Sequence, residues 1–480
     1  MKLLLFFLLQ ISSPLERLQK LIDSVQNDTD VRTGIVAASI RSTHTGEYKI
    51  QYNAQKSVNS ASILKLVSTA TALSVLRANY RYQTYIEYDG SLMDSVLHGN
   101  LYIRGTGDPS FGSARVGMDF EQMTRFFVQK IKDFGIKKID GHIIGDGTIF
   151  PENTLADSWI WGDVGNYYGA GVSGLNVNEN LYQVYFKQSN SVGIYAPIAK
   201  FIPELPNLVS VNKVMTAERN SGDNVIIYNT PFSNTILSQG TIPAGNGEFS
   251  VKGSLPDPAY FFAFHFQKNF IELGGNITNP TLSIQNYKIQ NGYYPKQRFP
   301  IFTYESPPIS RLVKECNFHS INLYADALLK TVGYLIAKDA SFESSINATK
   351  QVWSQKGIDL QGFMIRDGSG LSPSGVLTAN NLTDILYSMR RDSAFNDFYS
   401  SIPIVGQTGT VQKLANGSKA AGNIRAKSGS ISNTRAFAGY FTASNGELMS
   451  FTLIVNRYAD GADRKVRKFL EEIMKLMVEM

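Results

Sequence analysis

Residues 59–76 read NSASILKLVSTATALSVL, and this stretch decides how the rest of the sequence is interpreted. The spacing of its apolar residues predicts a helix with one buried face, which carries Ile63, Leu66, Val67, Ala70 and Leu73. Asn59 and Ser60 stand just ahead of that helix, where a short polar side chain can cap the first turn.

Ser62 and Lys65 lie three residues apart at the start of this helix. Their side chains therefore share one face, and the lysine amine can reach the serine hydroxyl. A serine needs such a neighbouring base to become a nucleophile when no histidine serves it. The same Ser-x-x-Lys pattern recurs at residues 210–213, so the pattern alone does not identify the nucleophile.

Three later segments complete the pattern in order along the chain. They are SIN at residues 320–322, DGSG at residues 367–370 and KSG at residues 427–429. Ser-x-Asn also begins at Ser57, Ser210 and Ser345, but only the segment at 320 is followed by a strong helical pattern, over residues 323–336.

In combination, these segments resemble the three motifs of the serine-reactive penicillin-binding proteins and β-lactamases, Ser-x-x-Lys, Ser-Asp-Asn and Lys-Thr-Gly. The resemblance is closer to the low-molecular-mass (class C) D-alanyl-D-alanine carboxypeptidase/endopeptidase branch. It extends through nearly the whole chain and includes GTGDPS from Gly105, INLYADALLK from Ile321, RDGSGLS from Arg366 and RAKSGSI from Arg425. It implies an α+β fold, an antiparallel sheet flanked by helices, interrupted by a large inserted region.

The resemblance also implies a role for each motif residue. Ser62 would attack the carbonyl between the last two D-alanines of a peptidoglycan stem peptide, with Lys65 as its base. Burial and a second cation, Lys427, would favour the neutral form of Lys65. Ser320 would pass a proton to the leaving amine, and Asn322 would bind the peptide backbone. Ile321 replaces the usual aspartate, which is tolerable if its side chain points into the packing.

The KSG segment is expected on an edge strand, where it would bind the substrate. Lys427 and Ser428 would hold the terminal carboxylate through a charge-assisted contact. Gly429 leaves room for the substrate backbone. By resemblance, the oxyanion hole is formed by the backbone N–H groups of Ser62 and Ser430.

Two residues of the inserted region extend the candidate site. Asp163 and Tyr168 resemble residues that line a pocket for the amino end of the stem peptide's side chain in some members of the branch. The segment at residues 367–372 has no chemistry that follows from its side chains, and we interpret it as a tight turn near the site. Pro373 follows it where the branch often carries a basic residue.

Composition excludes several other functions. The net charge is +6, but the basic residues are scattered, and the densest cluster, residues 464–468, lies on a predicted C-terminal helix. We therefore expect no nucleic-acid partner. One cysteine, Cys316, and five histidines without helical i,i+4 spacing predict neither a disulfide nor a metal site. No cofactor is expected; the expected partners are peptidoglycan stem peptides and β-lactams, the latter as covalent inhibitors.

The two ends of the sequence are predicted to meet in one sheet. A helix over residues 14–25 and strands over residues 34–40 and 48–52 open the chain. Strands over residues 436–443 and 448–455 flank an Asn-Gly turn, a strong hairpin pattern, and a last helix follows. Between these ends lies a stretch with many strand patterns.

We accordingly predict four parts. Residues 1–13 have the charged start and apolar run of a signal peptide, which places the protein in the periplasm or cell envelope. The catalytic domain comprises residues 14–85 and 296–480. The inserted domain II comprises residues 86–175 and 256–295, and the strand-rich domain III comprises residues 176–255.

Two alternatives to a D-alanyl-D-alanine carboxypeptidase remain at this point. A β-lactamase would share the fold, but no acidic residue stands in a recognisable loop where it could hydrolyse a penicilloyl-serine quickly. A catalytically idle wall-binding protein would tolerate the loss of Ser62, Lys65, Asn322 or Lys427, yet all four are present.

Overall fold

A computed structural model describes residues 13–292 and 297–480. Its α-helices are, in chain order, α1 Pro14–Gln26, α2 Lys65–Leu76, α3 Phe120–Asp133, α4 Trp161–Val164, α5 Pro258–Glu272, α6 Ile284–Asn291, α7 Ile309–His319, α8 Asn322–Ala337, α9 Phe342–Gln355, α10 Ala379–Met389, α11 Phe395–Ser401 and α12 Asp463–Met477. No helix of the described ranges is long and apolar enough to cross a membrane. The predicted signal peptide, apart from Ser13, lies outside the described residues.

The strands are, in chain order, β1 Ile35–Ser42, β2 Tyr48–Tyr52, β3 Val58–Asn59, β4 Gln83–Tyr88, β5 Ser91–Met93, β6 Val96–His98, β7 Leu101–Gly105, β8 Lys138–Ile139, β9 Ile143–Asp146, β10 Leu181–Lys187, β11 Ile198–Ile202, β12 Val209–Ala217, β13 Asn224–Tyr228, β14 Thr235–Pro243, β15 Glu248–Ser254, β16 Asn276–Ile277, β17 Leu282–Ser283, β18 Phe299–Glu305, β19 Val376–Leu377, β20 Ile424–Ile431, β21 Thr434–Thr442 and β22 Leu448–Asn456.

The two ends of the chain form one antiparallel sheet, as the sequence predicts. Its order is β2-β1-β22-β21-β20, so the first strands of the chain pair directly with the last. The predicted hairpin is β21 and β22, in register from Thr434 opposite Asn456 to Thr442 opposite Leu448. Helices α1 and α12 pack against each other and share the hydrophobic core that covers one face of this sheet.

Helix α2 lies at the centre of the second core, between the sheet and helices α7, α8 and α9. The prediction of a single buried face is wrong, because eleven of its twelve residues are buried. Its Ser and Thr residues are compatible with burial because their hydroxyls are hydrogen-bonded: Thr71 Oγ1 donates to the Val67 carbonyl at 2.7 Å, and Ser74 Oγ donates to the Asp392 carboxylate at 2.7 Å. Each fully buried leucine or valine here stabilises the fold by about 1.5–3 kcal/mol.

The described residues of the middle of the chain have their own core and form four further sheets. Sheet β17-β9-β7-β4-β18 packs against α3 and α5, and sheet β16-β8-β6-β5 lies beside it. Sheets β11-β10-β15 and β12-β14-β13 account for the strand patterns around residues 176–255. The predicted boundary at residue 86 falls inside β4, and the sheet continues to the end of β18 at Glu305. The predicted boundary between residues 295 and 296 lies outside the described residues.

Candidate active site

Ser62 lies on a 3₁₀ helix, Ala61–Leu64, that leads directly into α2. The Lys65 Nζ donates to Ser62 Oγ at 2.8 Å, so the two side chains meet as their spacing predicts. Of the two predicted caps, Asn59 accepts from the Ala61 N–H at 2.8 Å, whereas the Ser60 side chain makes no capping bond. The turn that carries Ser62 is thus held by a side-chain bond rather than left to fray.

Lys65 is fully buried behind the serine. Its Nζ also donates to the backbone carbonyl of Ser369 at 2.7 Å. Burial lowers the pKa of Lys65 to about 8, against the opposing effect of the nearby thiol and carboxyl groups of Cys316, Asp326 and Asp367. An amine with such a pKa can give up its proton near neutral pH, which a general base requires.

The loop at residues 367–372 holds that carbonyl in place. The Asp367 carboxylate accepts from the backbone N–H groups of Gly370 and Ser372, each at 2.8 Å. Trp159, from the inserted region, donates its Nε1–H to the same carboxylate at 2.8 Å. Sequence reasoning missed the contact between Ser369 and Lys65, because a backbone carbonyl leaves no trace in the side-chain pattern.

Ser320 and Lys427 form a second serine–lysine pair. Ser320 occupies the junction between α7 and α8 with a left-handed backbone at φ 59°. The Lys427 Nζ donates to Ser320 Oγ at 2.9 Å and to the Ser428 carbonyl at 2.6 Å. Burial first, and then the neighbouring Lys65 charge, hold the pKa of Lys427 well below its ordinary value.

Asn322 is the first residue of α8 and reaches across to the inserted region. Its Nδ2 donates to the Tyr168 carbonyl at 2.7 Å. The Ile321 side chain packs against the core that contains α2, which satisfies the condition under which Ile321 can replace the usual aspartate. The Ser-x-Asn segment at Ser345 lies inside α9, where Ser345 is buried, so it cannot serve the same purpose.

The KSG segment lies on β20, which is an edge strand of the terminal sheet. The hydroxyls of Ser428 and Thr410 lie 2.7 Å apart, and Ser430 is exposed at the cleft. A Cβ at Gly429 would stand 2.9 Å from the Ser60 carbonyl oxygen and 3.1 Å from the Ser62 nitrogen. Glycine at this position therefore lets β20 approach the serine turn closely; substrate access is not its only purpose.

A cleft of about 480 Å³ brings six of the predicted site residues to one surface: Ser62, Asp163, Tyr168, Ser320, Asn322 and Ser430. Ser428 and Gly429 do not line it. The Tyr168 hydroxyl donates to Asp163 Oδ1 at 3.1 Å. Burial raises the pKa of Asp163, and the Tyr168 hydrogen bond opposes the shift. Lys65 and Lys427 do not line the cleft; both are fully buried, and each is hydrogen-bonded to a serine that lines it.

The competing Ser-x-x-Lys pattern lies away from the catalytic cleft. Ser210 and Lys213 are exposed on β12, and their odd spacing sends them to opposite faces of the strand. His319 lines the catalytic cleft, but its ring lies 3.3 Å from Glu315 on its own helix. Cys316 is fully buried, and burial raises the pKa of its thiol to about 12, which makes it a poor nucleophile.

Two serines that line one cleft are thus each hydrogen-bonded to a buried lysine. They lie beside an edge strand of the antiparallel sheet in an α+β fold. This fold and site define a serine hydrolase of the penicillin-binding class. A family model described as the D-Ala-D-Ala carboxypeptidase 3 (S13) family matches residues 18–476. The chain belongs to this family of serine-type carboxypeptidases, and the predicted family and fold class are confirmed.

Two curated relatives are similar along most of the chain. The D-alanyl-D-alanine carboxypeptidase of Actinomadura sp. (strain R39) is 24% identical over 468 residues, which cover 94% of this chain and 83% of the relative. The D-alanyl-D-alanine carboxypeptidase DacB of Haemophilus influenzae is 23% identical over 417 residues, which cover 85% of this chain and 83% of the relative.

Solved structures show the same fold. Penicillin binding protein 4 from Haemophilus influenzae superposes with a TM-score of 0.81 at 20% identity, covering 96% of this chain and 99% of that chain. Its complex with a β-lactam superposes with a TM-score of 0.76 at 20% identity, covering 96% of this chain and 98% of that chain. A predatory peptidoglycan endopeptidase from Bdellovibrio bacteriovorus gives 0.51 at 15% identity, covering 92% of this chain and 93% of that chain.

Proposed function

We propose that the protein removes the terminal D-alanine from peptidoglycan stem peptides through an acyl-enzyme on Ser62. The observation that carries this assignment is the 2.8 Å hydrogen bond from the buried Lys65 amine to the Ser62 hydroxyl. Ser62 lines the cleft, whereas Lys65 is fully buried and has a pKa lowered to about 8. A serine and a base in this relation are the elements of covalent acyl transfer.

Acylation would proceed as follows. Neutral Lys65 accepts the Ser62 proton as Oγ forms a bond to the carbonyl carbon of the penultimate D-alanine. The resulting oxyanion is stabilised by the backbone N–H groups of Ser62 and Ser430. The carbon–nitrogen bond then breaks as Ser320 gives its hydroxyl proton to the leaving amine. The proton that Lys65 took from Ser62 replaces it on Ser320, so that Lys65 is neutral again. A water molecule later cleaves the ester and restores the serine.

Substrate binding is assigned to the surrounding residues. Lys427 and Ser428 would hold the terminal carboxylate from the edge strand, and Asn322 would hold the peptide backbone. Asp163 and Tyr168 line the same cleft and would meet the amino end of the stem peptide's side chain. The same groups suit a cross-linked stem, so endopeptidase cleavage belongs to the proposal.

Covalent penicillin binding follows from the same chemistry, because a β-lactam presents a strained amide to Ser62. The β-lactam complex of the H. influenzae structure supports this for the fold. A peptidoglycan substrate lies outside the cytoplasm, and the charged and apolar start of the sequence fits export to the cell envelope.

The test is mass spectrometry of the intact protein after incubation with benzylpenicillin, followed by peptide mapping. The expected result is a stable adduct on the Ser62 peptide, together with D-alanine release from a stem pentapeptide. Rapid turnover of the drug without a stable adduct would indicate a β-lactamase instead. Absence of any reaction with drug or peptide would indicate a catalytically idle protein.

A further inference from the structure

A second cavity of about 780 Å³ adjoins the catalytic cleft. The two spaces share four lining residues, which we call the neck: Arg115, Glu179, Leu181 and Lys252. The larger cavity is walled by parts of the inserted region, including residues of α3, α5 and β10. A molecule bound at Ser62 can therefore continue through the neck into a space built by the insertion.

The neck is held in a specific shape. Three consecutive residues, Asn178, Glu179 and Asn180, have left-handed φ angles of 52°, 54° and 53°. The Asn180 side chain maintains this turn, accepting from the Val177 N–H at 3.0 Å and donating to the Gly171 carbonyl at 2.8 Å. Such backbone is costly and is retained mainly where it places a functional group.

The turn places the Glu179 carboxylate where other side chains of the protein donate hydrogen bonds to it. Arg115 Nε lies 2.8 Å from this carboxylate. The Ser113 hydroxyl donates to it at 2.7 Å, and the Tyr324 hydroxyl, on α8, donates at 3.3 Å. Glu179 and Arg115 therefore neutralise each other and tie the neck to the helix that begins at Asn322.

Among the cations that line the larger cavity, Lys252 differs from the others in its pairing with carboxylates. Arg115, Arg125 and Lys268 each face a carboxylate, at 2.8, 2.7 and 2.8 Å. Lys252 lies on the exposed face of β15 and has no carboxylate partner within residues 13–292 and 297–480. With Glu179 already paired, the neck keeps one positive charge for a ligand.

We propose that the neck is a subsite for a carboxylate of the stem peptide upstream of the D-alanyl-D-alanine end, with the Lys252 ammonium as its contact. The inference rests on the proposed function and specifies the substrate further. An extended pentapeptide spans roughly 17 Å, so its upstream residues extend well beyond Ser62, and the neck residues line the same cleft as that serine. Two carboxylates occur there, the α-carboxylate of γ-linked D-glutamate and the side-chain carboxylate of a diamino diacid at the third position.

The experiment compares four pentapeptides with the full chain. They combine D-glutamate or its α-amide, D-isoglutamine, with lysine or diaminopimelate at the third position. The variants are Lys252→Ala, Lys252→Arg and, as a matched control, Lys213→Ala, which removes an exposed strand lysine that lines neither cavity. Diacetyl-lysyl-D-alanyl-D-alanine, which has no upstream carboxylate, serves as the reference substrate.

For Lys252→Ala we expect kcat/KM to fall roughly five- to tenfold, mostly through a higher KM. This loss lies between the usual effect of removing an exposed ion pair and that of removing a charge-assisted hydrogen bond. The loss should occur only with peptides that carry the recognised carboxylate, shrink at high salt, and be restored by Lys252→Arg. If the loss disappears with D-isoglutamine, the recognised group is the α-carboxylate of D-glutamate. If it disappears with lysine at the third position, the recognised group is the side-chain carboxylate of diaminopimelate.

Equal losses on all four pentapeptides, or no loss on any, would overturn the subsite. Turnover of the diacetyl reference by the parent protein keeps this outcome separate from the proposed function. If the parent releases no D-alanine from that reference or from the pentapeptides, the proposed function has failed instead.

Discussion

Two serine–lysine pairs at one cleft have almost the same geometry and different surroundings. Lys65 lies 2.8 Å from Ser62 Oγ, and Lys427 lies 2.9 Å from Ser320 Oγ. Both lysines are fully buried. Carboxyl groups near Lys65 oppose the effect of burial and leave its pKa at about 8, whereas the nearby Lys65 charge lowers the pKa of Lys427 further.

The difference in surroundings indicates that the protonation states of the two lysines depend on each other. Each ammonium disfavours the other, so the two titrations are linked. A substrate carboxylate bound at Lys427, as proposed, would favour its charged form, and that charge would in turn favour the neutral form of Lys65. Binding of the terminal carboxylate and activation of the base are therefore expected to be coupled.

The largest expected effect separates the two serines. Ser62→Ala should abolish both penicillin labelling and D-alanine release, because no other hydroxyl of residues 13–292 and 297–480 is bonded to the Lys65 amine. Labelling is measured by mass spectrometry, and circular dichroism checks that the fold is intact. Ser210→Ala, on an exposed strand, is the matched control and should label normally. Persistent labelling of Ser62→Ala would show that the nucleophile is misassigned.

The next effect tests the base. Lys65→Arg should lower the acylation rate by about 10² to 10⁴, the usual cost of losing a general base. Arginine keeps the positive charge but cannot release its proton near neutral pH. Stopped-flow measurement of penicillin acylation gives the rate. An arginine variant that acylates at the parental rate would leave Lys65 with only an electrostatic role.

A smaller effect tests the partner lysine. Lys427→Ala should reduce kcat/KM about ten- to hundredfold for peptides with a free terminal carboxylate, the cost of a charge-assisted hydrogen bond. Peptides capped as amides or esters should lose much less. If Lys427 mainly lowers the pKa of Lys65, capped and free peptides should suffer alike, and the acidic limb of the pH–rate profile should move to higher pH.

The smallest effect tests the carboxylates that distinguish the two pairs. Asp326 is fully buried on α8, accepts from the Gly368 N–H at 2.6 Å, and burial raises its pKa to about 7. Above that pH its negative charge raises the pKa of Lys65. Asp326→Asn removes the charge, so the acidic limb of penicillin acylation should move to lower pH. A limb that stays in place, or moves to higher pH, would contradict the electrostatic account.

Local patterns predicted much of this molecule. The hairpin of β21 and β22 follows from an Asn-Gly turn between alternating segments, and the meeting of Ser62 with Lys65 follows from helical spacing. The wrong prediction was the single buried face of α2. Periodicity counts apolar residues, and α2 buries its serines and threonines as well. The threonine hydroxyls bond to carbonyls of α2 itself, whereas Ser68 bonds to the Gly368 carbonyl and Ser74 to the Asp392 carboxylate, partners that are distant in the sequence.

The sequence by itself determined which residue types are available for acyl transfer. Each motif is a short run, and the spacing of its residues fixes their relative positions on one helix or strand. Only the tertiary structure decided what surrounds them. The Ser369 carbonyl at Lys65, the Trp159 bond to Asp367 and the neck at Lys252 join segments more than sixty residues apart. Backbone groups and long-range packing create these contacts, and neither has a periodic trace in the chain.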